Sequence, residues 1–482
     1  MFFNLKPRLM EVSTETRMQQ MAGRGLVVFP LPLQGHINPM LQLANILHSR
    51  GFNITVIHTQ YNSLNPSKYP HFTFRPISDG LLETPPSTER GRDLLTLLNV
   101  NCVAPFRDCL VQLLSSVSEE PIACLITDAI WHFTQAVADG LKLPRLVLHS
   151  GNISFLAFAA HPFLREKGFL PKQETIGLHR IIHIHLVIFS DSQTEEPVEA
   201  LPPLKIKDFP TMDIANPEDD LYMLIDGMVK ANKGSSGFIW NSFEELEQPA
   251  LATLRGRSIV PLFPIGPFHK YFPASSSSLL AQDPSSISWL DTQSPKSVIY
   301  VSFGSLATFD ETEFLEMAWG LANSMQPFLW VVRPGLIRGS EWLEPLRNGF
   351  LEAVSGRGHI VKWAPQQEVL AHPATGGFWT HSGWNSTLES ICEGVPMICS
   401  PRSNDQMVSA RYASDVWRVG VQLENGLERV DVERAIRKLM ESEGEEMRER
   451  IMCLKEKADL CLREGGSSYQ SLESLVNYIF SF

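Results

Sequence analysis

Phe378 to Glu393 hold the densest run of side chains able to grip an anion and a sugar. Phe378-Trp379-Thr380 reads as a strand, His381-Ser382-Gly383 as a tight turn, and Trp384–Glu393 as a helix closed by Gly394. When such a turn leaves the carboxyl edge of a parallel sheet, the first helical N–H groups are unpaired. They sit at the positive end of the helix dipole, which suits phosphate. Asn385 and Ser386 fall in that first turn and add side-chain donors, and His381 beside them can donate to a diphosphate oxygen. Glu389 follows Asn385 by four residues, so both share a helix face, and its carboxylate can accept from ribose hydroxyls one turn beyond the phosphate. Trp363, ending the preceding strand, offers a flat ring to a base, and Asp405-Gln406, after the next strand, suit a polyol. The order along the edge is base, ribose, diphosphate, sugar. A lone Trp363 is ordinarily core and a lone His381 ordinarily structural; their clustering at consecutive strand edges makes the site.

These side chains need parallel sheets beneath them, and the apolar pattern supplies two. Leu26-Val27-Val28-Phe29 suits a strand buried on both faces, and PLPLQGHINP after it is a Gly/Pro-rich turn. Met40, Leu43, Ala44 and Leu47 then recur at helical spacing, with Asn38 expected as N-cap and Pro39 as the first helical residue. Gly51 ends this helix and Ile54–His58 is the next strand, completing a β-α-β unit. The alternation continues through strand Ile122–Thr127, a helix after Trp131 and strand Arg145–His149. A second α/β pattern opens with Ser297–Phe303 and Gly304-Ser305 and runs through strands near 328–333, 359–363, 376–380 and 395–399. The expected class is α/β, with two Rossmann-like β/α/β domains facing across a cleft. Residues 1–23 are expected to be a disordered tail and 24–265 the first domain. Residues 266–296, rich in Ser and Pro, are a linker ending in a short helix, and 297–456 form the second domain. Residues 457–482, with Leu472, Leu475, Val476 and Ile479 at helical spacing, pack back toward the first domain.

Several function classes are excluded. The 482 residues carry 41 Lys and Arg against 53 Asp and Glu, a net charge of −12, so no cationic excess exists to neutralise nucleic-acid phosphates. With 44% hydrophobic and 20% charged residues, the chain is globular rather than disordered. Seven cysteines, without C-x-x-C spacing, suggest neither a disulfide framework nor a zinc site. No run approaches the ~18 apolar residues of a membrane span, and the N-terminal residues are broken by Lys6, Arg8 and Glu11. A glycan at the one sequon, Asn385-Ser386-Thr387, would block the ligand site. Together these point to the cytoplasm. Gly23-Arg24-Gly25 and Gly356-Arg357-Gly358 precede their strands instead of following them, and neither a P-loop nor G-x-S-x-G occurs.

The 44-residue stretch from Trp363 to Gln406, WAPQQEVLAHPATGGFWTHSGWNSTLESICEGVPMICSPRSNDQ, resembles the signature box of the plant family 1 UDP-dependent glycosyltransferases. FPLPLQGHINP, CLITDAIW at 124–131 and VSFGS at 301–305 support the resemblance, which extends from Gly25 to the C-terminus. HSGWNS and NSFEELE at 241–247 are similar to the clade containing steviol-glycoside and cytokinin glucosyltransferases. The resemblance implies the two-domain GT-B fold and an inverting transfer from UDP-glucose, without metal or other cofactor, to a small lipophilic acceptor (terpenoid, phenolic or hormone-like). It further implies that Trp363 stacks on uracil with Ala364 adjoining, and that Gln366 and Glu389 hold the ribose. Ser305, His381, Asn385 and Ser386 would bind the diphosphate, and Trp384, Asp405 and Gln406 would meet the sugar. His36 would be the general base and Asp128 its partner. A place at the start of the first helix is expected to keep the His36 ring neutral near pH 7. The expected partners are the UDP-sugar and the acceptor, with no nucleic acid and no membrane span; the chain is expected to be a monomer.

Three features depart from the family pattern. Pro401-Arg402-Ser403-Asn404 brings an arginine toward the sugar pocket. Residues 174–189, ETIGLHRIIHIHLVIF, look inserted and are expected to be mobile or poorly packed. The first 20 or so residues precede the usual start. Of His179, His183 and His185 in the insertion, only the first two would align on a helix and only the last two on a strand. No suitably spaced cysteine accompanies them, so no metal site is expected. Acceptor choice is expected in loops around 80–105 and 150–215, with Phe155, Phe158, Phe163 and Phe209. The alternative function is a catalytically silent UDP-sugar binder whose acceptor cleft the insertion disrupts. Deleting 174–189 is expected to leave UDP release from UDP-glucose intact in the presence of a mixed acceptor panel; loss of folding on deletion would refute this.

Overall fold

The computed structural model describes residues 23–81, 91–115, 121–154, 197–198, 202–208, 220–256, 258–272, 278–346, 349–402, 405–424, 426–441 and 443–482. All of the expected 1–23 tail but Gly23, the 174–189 insertion with its three histidines, and Phe155, Phe158, Phe163 and Phe209 lie outside them.

The first sheet has seven parallel strands: β1 (Gly25–Phe29), β2 (Asn53–Thr59), β3 (Thr73–Ile77), β4 (Ile122–Asp128), β5 (Arg145–His149), β6 (Gly237–Trp240) and β7 (Leu262–Pro264). Their order is β3-β2-β1-β4-β5-β6-β7. The second sheet has six: β8 (Val298–Ser302), β9 (Phe328–Val331), β10 (Gly358–Val361), β11 (Thr375–Thr380), β12 (Met397–Cys399) and β13 (Gly420–Gln422). Their order, β10-β9-β8-β11-β12-β13, repeats the same winding. Each sheet therefore reverses direction once, between β1 and β4 and between β8 and β11, and such reversal points open a crevice at the carboxyl edge.

The inner strands such as β1, β5 and β8 are mostly apolar because both faces are covered. In β1, Leu26 and Val28 pack against Met40, Leu43 and Leu47, while Val27 and Phe29 face the opposite cluster. Phe29 stacks on Phe106 and on Trp131, each at 4.6 Å. In β8, Val298 and Tyr300 face one cluster, and Ile299 and Val301 the other. The strands that hydropathy did not mark are short or at edges. β7 and β13 have three residues each, and β3 carries Pro76 at the sheet edge, where a missing N–H is tolerated.

Six helices matter to the site: α1 (Gln34–His48), α2 (Glu311–Ser324), α3 (Gln366–Ala371), α4 (Trp384–Glu393), α5 (Asp405–Arg411) and α6 (Ser467–Phe480). α4 has the limits expected, with Gly394 at φ 72° ending it in the left-handed region. α1 begins a full turn earlier than expected. Leu33 is its cap, and Asn38 and Pro39 lie inside it. A proline this early in a helix deprives only the Gly35 carbonyl of its usual donor, and that carbonyl is paired elsewhere. The same shift puts His36 in the first turn.

α6 returns to the first sheet. Leu472, Leu475, Val476 and Ile479 share the cluster of Leu26, Val28 and Met40, and Ser468 Oγ donates to the Gly266 carbonyl at 2.6 Å. Among the described residues, no single helix is long and apolar enough to cross a membrane. Leu475 is fully buried, so Leu475→Ala is expected to cost about 2–5 kcal/mol and lower the thermal unfolding midpoint. An unchanged midpoint would mean that α6 does not complete this core.

Candidate active site

β1 and β4 flank the reversal point of the first sheet, so the residues at their carboxyl ends meet. His36, third in α1, puts Nδ1 2.7 Å from Asp128 Oδ2 at the end of β4. Asp128 is 1% exposed, and its Oδ1 accepts the Ile130 N–H at 3.0 Å. With Nδ1–H donated to the carboxylate, Nε2 keeps its lone pair for the cavity that His36 lines. Ser150 Oγ, past the end of β5, lies 2.9 Å from the same Nδ1.

The expected neutrality of His36 is overturned in direction. Burial and the helix start disfavour the charged ring, but the charge and hydrogen bond of Asp128, with Asp405 behind, outweigh them. The His36 pKa is raised above the ordinary histidine value. Asp405 in turn is pushed up to about 6, chiefly by burial and against the pull of His36.

The second sheet answers from across the cleft. A cavity of about 770 Å³ is lined jointly by His36 and Asp128 and by Ser305, Trp363, Ala364, Gln366, His381, Trp384, Asn385, Ser386, Glu389, Asp405 and Gln406. All thirteen residues singled out in the sequence thus meet in one space. Leu31, Leu33, Leu95, Ile130, Leu224 and Met228 make one wall apolar. The Glu389 carboxylate accepts from Gln366 Nε2 at 2.7 Å and Gln367 Nε2 at 2.8 Å, and burial raises its pKa against those bonds. Trp363 Nε1 donates to Ser278 Oγ at 3.0 Å.

His381 is held between two glycines. A Cβ on Gly304 would come within 2.7 Å of its ring, and one on Gly383 within 2.5 Å; Gly304 also has φ 67°. Burial, with the nearby Arg333 charge, holds the His381 pKa down at about 4, so this ring is neutral. Its Nδ1 is buried with no hydrogen-bond partner among the described residues.

Several side chains are spent on joining the two sheets. Trp384, 3% exposed, donates its indole N–H to the Asn241 carbonyl at 2.7 Å, which anchors its ring at the edge of the cavity it lines. Asn385 donates to the Gly35 carbonyl at 2.6 Å and accepts from Asn241 Nδ2 at 3.2 Å. Asn152 Nδ2 donates to the Asp405 carbonyl at 3.1 Å and to Ser409 Oγ at 2.8 Å. Arg411 and Asp208, 2% and 0% exposed, form a two-point ion pair at 3.1 and 3.3 Å. Asn241, Asn152, Ser150, Gln367 and Arg333 escaped the sequence reading. Asn241 opens NSFEELE and Ser150 follows a strand edge, but nothing local tells which side chains cross a cleft.

Arg402 points away from the sugar edge. Its guanidinium pairs with Glu313 at 2.8 and 3.1 Å and lies 4.6 Å from the Phe309 ring centre. Among the described residues, no group of three or more His, Cys, Asp or Glu side chains is placed to hold a metal ion.

The family model described as UDP-glucoronosyl and UDP-glucosyl transferase matches residues 278–457. Over 460 residues the chain is 54% identical to UDP-glycosyltransferase 76B1 of Arabidopsis thaliana, covering 95% of this chain and 98% of that one. It is 48% identical over 485 residues to UDP-glycosyltransferase 76G1 of Stevia rebaudiana, covering 98% and 100%. Among solved structures, Phytolacca americana UGT2 complexed with UDP-2fluoro-glucose and pterostilbene matches with a TM-score of 0.76. There the identity is 27% over 95% of this chain and 99% of that one. Two oppositely facing reversal points, one shared cavity and relatives aligned nearly end to end lead to one conclusion: this chain belongs to the plant UDP-glycosyltransferases, with the GT-B fold.

Proposed function

We propose that the protein transfers glucose from UDP-glucose to the hydroxyl, carboxyl or amine of a small lipophilic acceptor, terpenoid, phenolic or hormone-like, with inversion at C1 and, for a hydroxyl acceptor, His36 as general base. The observation that carries this reading is the 2.7 Å contact of His36 Nδ1 with Asp128, which leaves Nε2 to the cavity shared with the signature-box residues. As the acceptor oxygen bonds to C1, its proton passes to Nε2 and the C1–O bond to the diphosphate breaks. The bonding pair leaves with UDP. Asp128 fixes the tautomer and stabilises the imidazolium. General-base assistance of this kind contributes about 10²–10⁴-fold.

In this reading Trp363 stacks on uracil beside Ala364, and Gln366 and Glu389 hold the ribose by exchanging their mutual hydrogen bonds for its hydroxyls. Ser305, His381, Asn385 and Ser386 receive the diphosphate, with the start of α4 supplying unpaired N–H groups. Asp405 and Gln406 take the sugar hydroxyls, and Trp384 contributes by anchoring the turn. The apolar wall from Leu31 to Met228 accommodates the acceptor. The unpaired cysteines accord with a cytoplasmic protein. No observation favours the silent binder: His36, Asp128 and the signature-box residues share one cavity.

His36→Ala is expected to retain UDP binding by calorimetry while turnover falls about 10²–10⁴-fold; unchanged turnover would overturn the base assignment. The base works only when neutral, so kcat/KM should rise with pH through a midpoint above the ordinary histidine value. In Asp128→Asn the opposing charge is lost and burial remains. The midpoint should therefore move down, with turnover lowered; a midpoint that stays put would remove Asp128 from the pair.

A further inference from the structure

Arg333 lies just past β9, at the carboxyl edge of the second sheet, and is 7% exposed. Its Nε donates to the Gly304 carbonyl at 3.1 Å, Nη1 to the Pro334 carbonyl at 3.1 Å, and Nη2 to the Ala307 carbonyl. These partners are all neutral. Among the described residues, no carboxylate forms an ion pair with this guanidinium, whereas buried Arg411 has Asp208. Buried Arg145, also held by neutral groups, still feels the charges of Asp128 and Asp139. Burial alone acts on Arg333, bringing its pKa down to about 10, far above neutrality. A cation taken from water ordinarily keeps an anion beside it, so this one is poised for an anion that binds.

The loop it holds forms the cavity wall: Gly304, Ser305, Leu306 and Ala307 all line the same space as His381 and Asn385, and Gly304 packs directly against the His381 ring. The carbonyl and N–H of a trans peptide point in opposite directions. Turning the Gly304 carbonyl onto Arg333 therefore turns the Ser305 N–H away from it. Arg333 is also close enough to His381 for its charge to act on that ring.

Resting on the reading of this cleft as a UDP-sugar site, we infer that Arg333 is a positioning residue: a fixed charge behind the 304–307 loop that the donor diphosphate neutralises without touching. It holds the loop by hydrogen bonds and favours the diphosphate by its field.

The full chain and its Arg333→Met and Arg333→Lys variants decide this by calorimetry with UDP and with uridine at one ionic strength. Arg333→Met is expected to weaken UDP about tenfold or more while uridine changes less than about twofold. Equal loss for both ligands, or no loss for UDP, would overturn the inference in favour of a purely structural latch. Arg333→Lys keeps the charge near pH 7, so its preference for UDP over uridine should stay near that of the unaltered chain. That preference should fall as pH rises to about 8.5 and the buried ammonium loses its proton, while the unaltered chain, whose Arg333 pKa of about 10 keeps the charge there, shows no such fall. Should Arg333→Met not fold, the lysine variant decides alone, and a preference that ignores pH refutes the inference. If the unaltered chain binds neither ligand, the donor-site reading itself fails and the inference goes with it.

Discussion

Two helix N-termini, those of α1 and α4, face one cleft from opposite sheets, and each carries roughly half a positive charge. Like charges aimed at one space do not stay together unless they are held, and the cross-cleft bonds do the holding. The Asn385 amide reaches the Gly35 carbonyl because Pro39, inside α1, has no N–H to give that carbonyl. The Trp384 indole is tied to the Asn241 carbonyl, and the buried Arg411–Asp208 pair fixes the same faces farther out. The outcome is one cavity with positive helix poles on two sides, an arrangement that suits an anion.

That constraint also accounts for the opposite protonation tendencies of the two histidines. His36 and His381 both follow strands next to a reversal point, and burial pushes both toward neutrality. His36 has two carboxylates within electrostatic reach, Asp128 below and Asp405 opposite, and its pKa rises. His381 has a guanidinium instead, and its pKa falls. In the proposed reaction one ring is thereby made ready to hold a proton and the other to remain an uncharged donor to the diphosphate. Two histidines are thus given opposite protonation tendencies by their neighbours, not by residue type.

The legible part of the fold was what local pattern encodes. Runs such as Leu26–Phe29 and Arg145–His149 are apolar because both sheet faces are covered, and the α4 limits follow from Gly383 before it and Gly394 after it. All the site residues named from the sequence line one cavity because consecutive strand edges of a parallel sheet are neighbours by construction. What stayed hidden was set between segments far apart in the chain. Asn38-Pro39 looks like a helix start on local grounds, yet the start is Gln34, since the pairing that excuses Pro39 comes from Asn385, 350 residues away from Gly35. Asp405, supplied by the other sheet, adds a smaller upward pull on the His36 pKa to that of Asp128.

Arg402 shows the same dependence in reverse. By sequence it sits three residues before Asp405, and a cation there would change which sugars the edge accepts. In the fold its charge is cancelled by Glu313 at the start of α2, and its guanidinium rests on Phe309. Glu313 also completes the capping box of α2 with Asp310, so the pair sits on a rigid element. What Arg402 contributes inward is its backbone N–H, which Gln406 Oε1 accepts at 2.9 Å. That bond orients the Gln406 amide with its oxygen toward the 400–402 backbone and its NH₂ end turned the other way. In the proposed reaction the departure therefore acts on the sugar edge through the direction of one amide and not through charge, since the arginine’s charge is met outside the cavity.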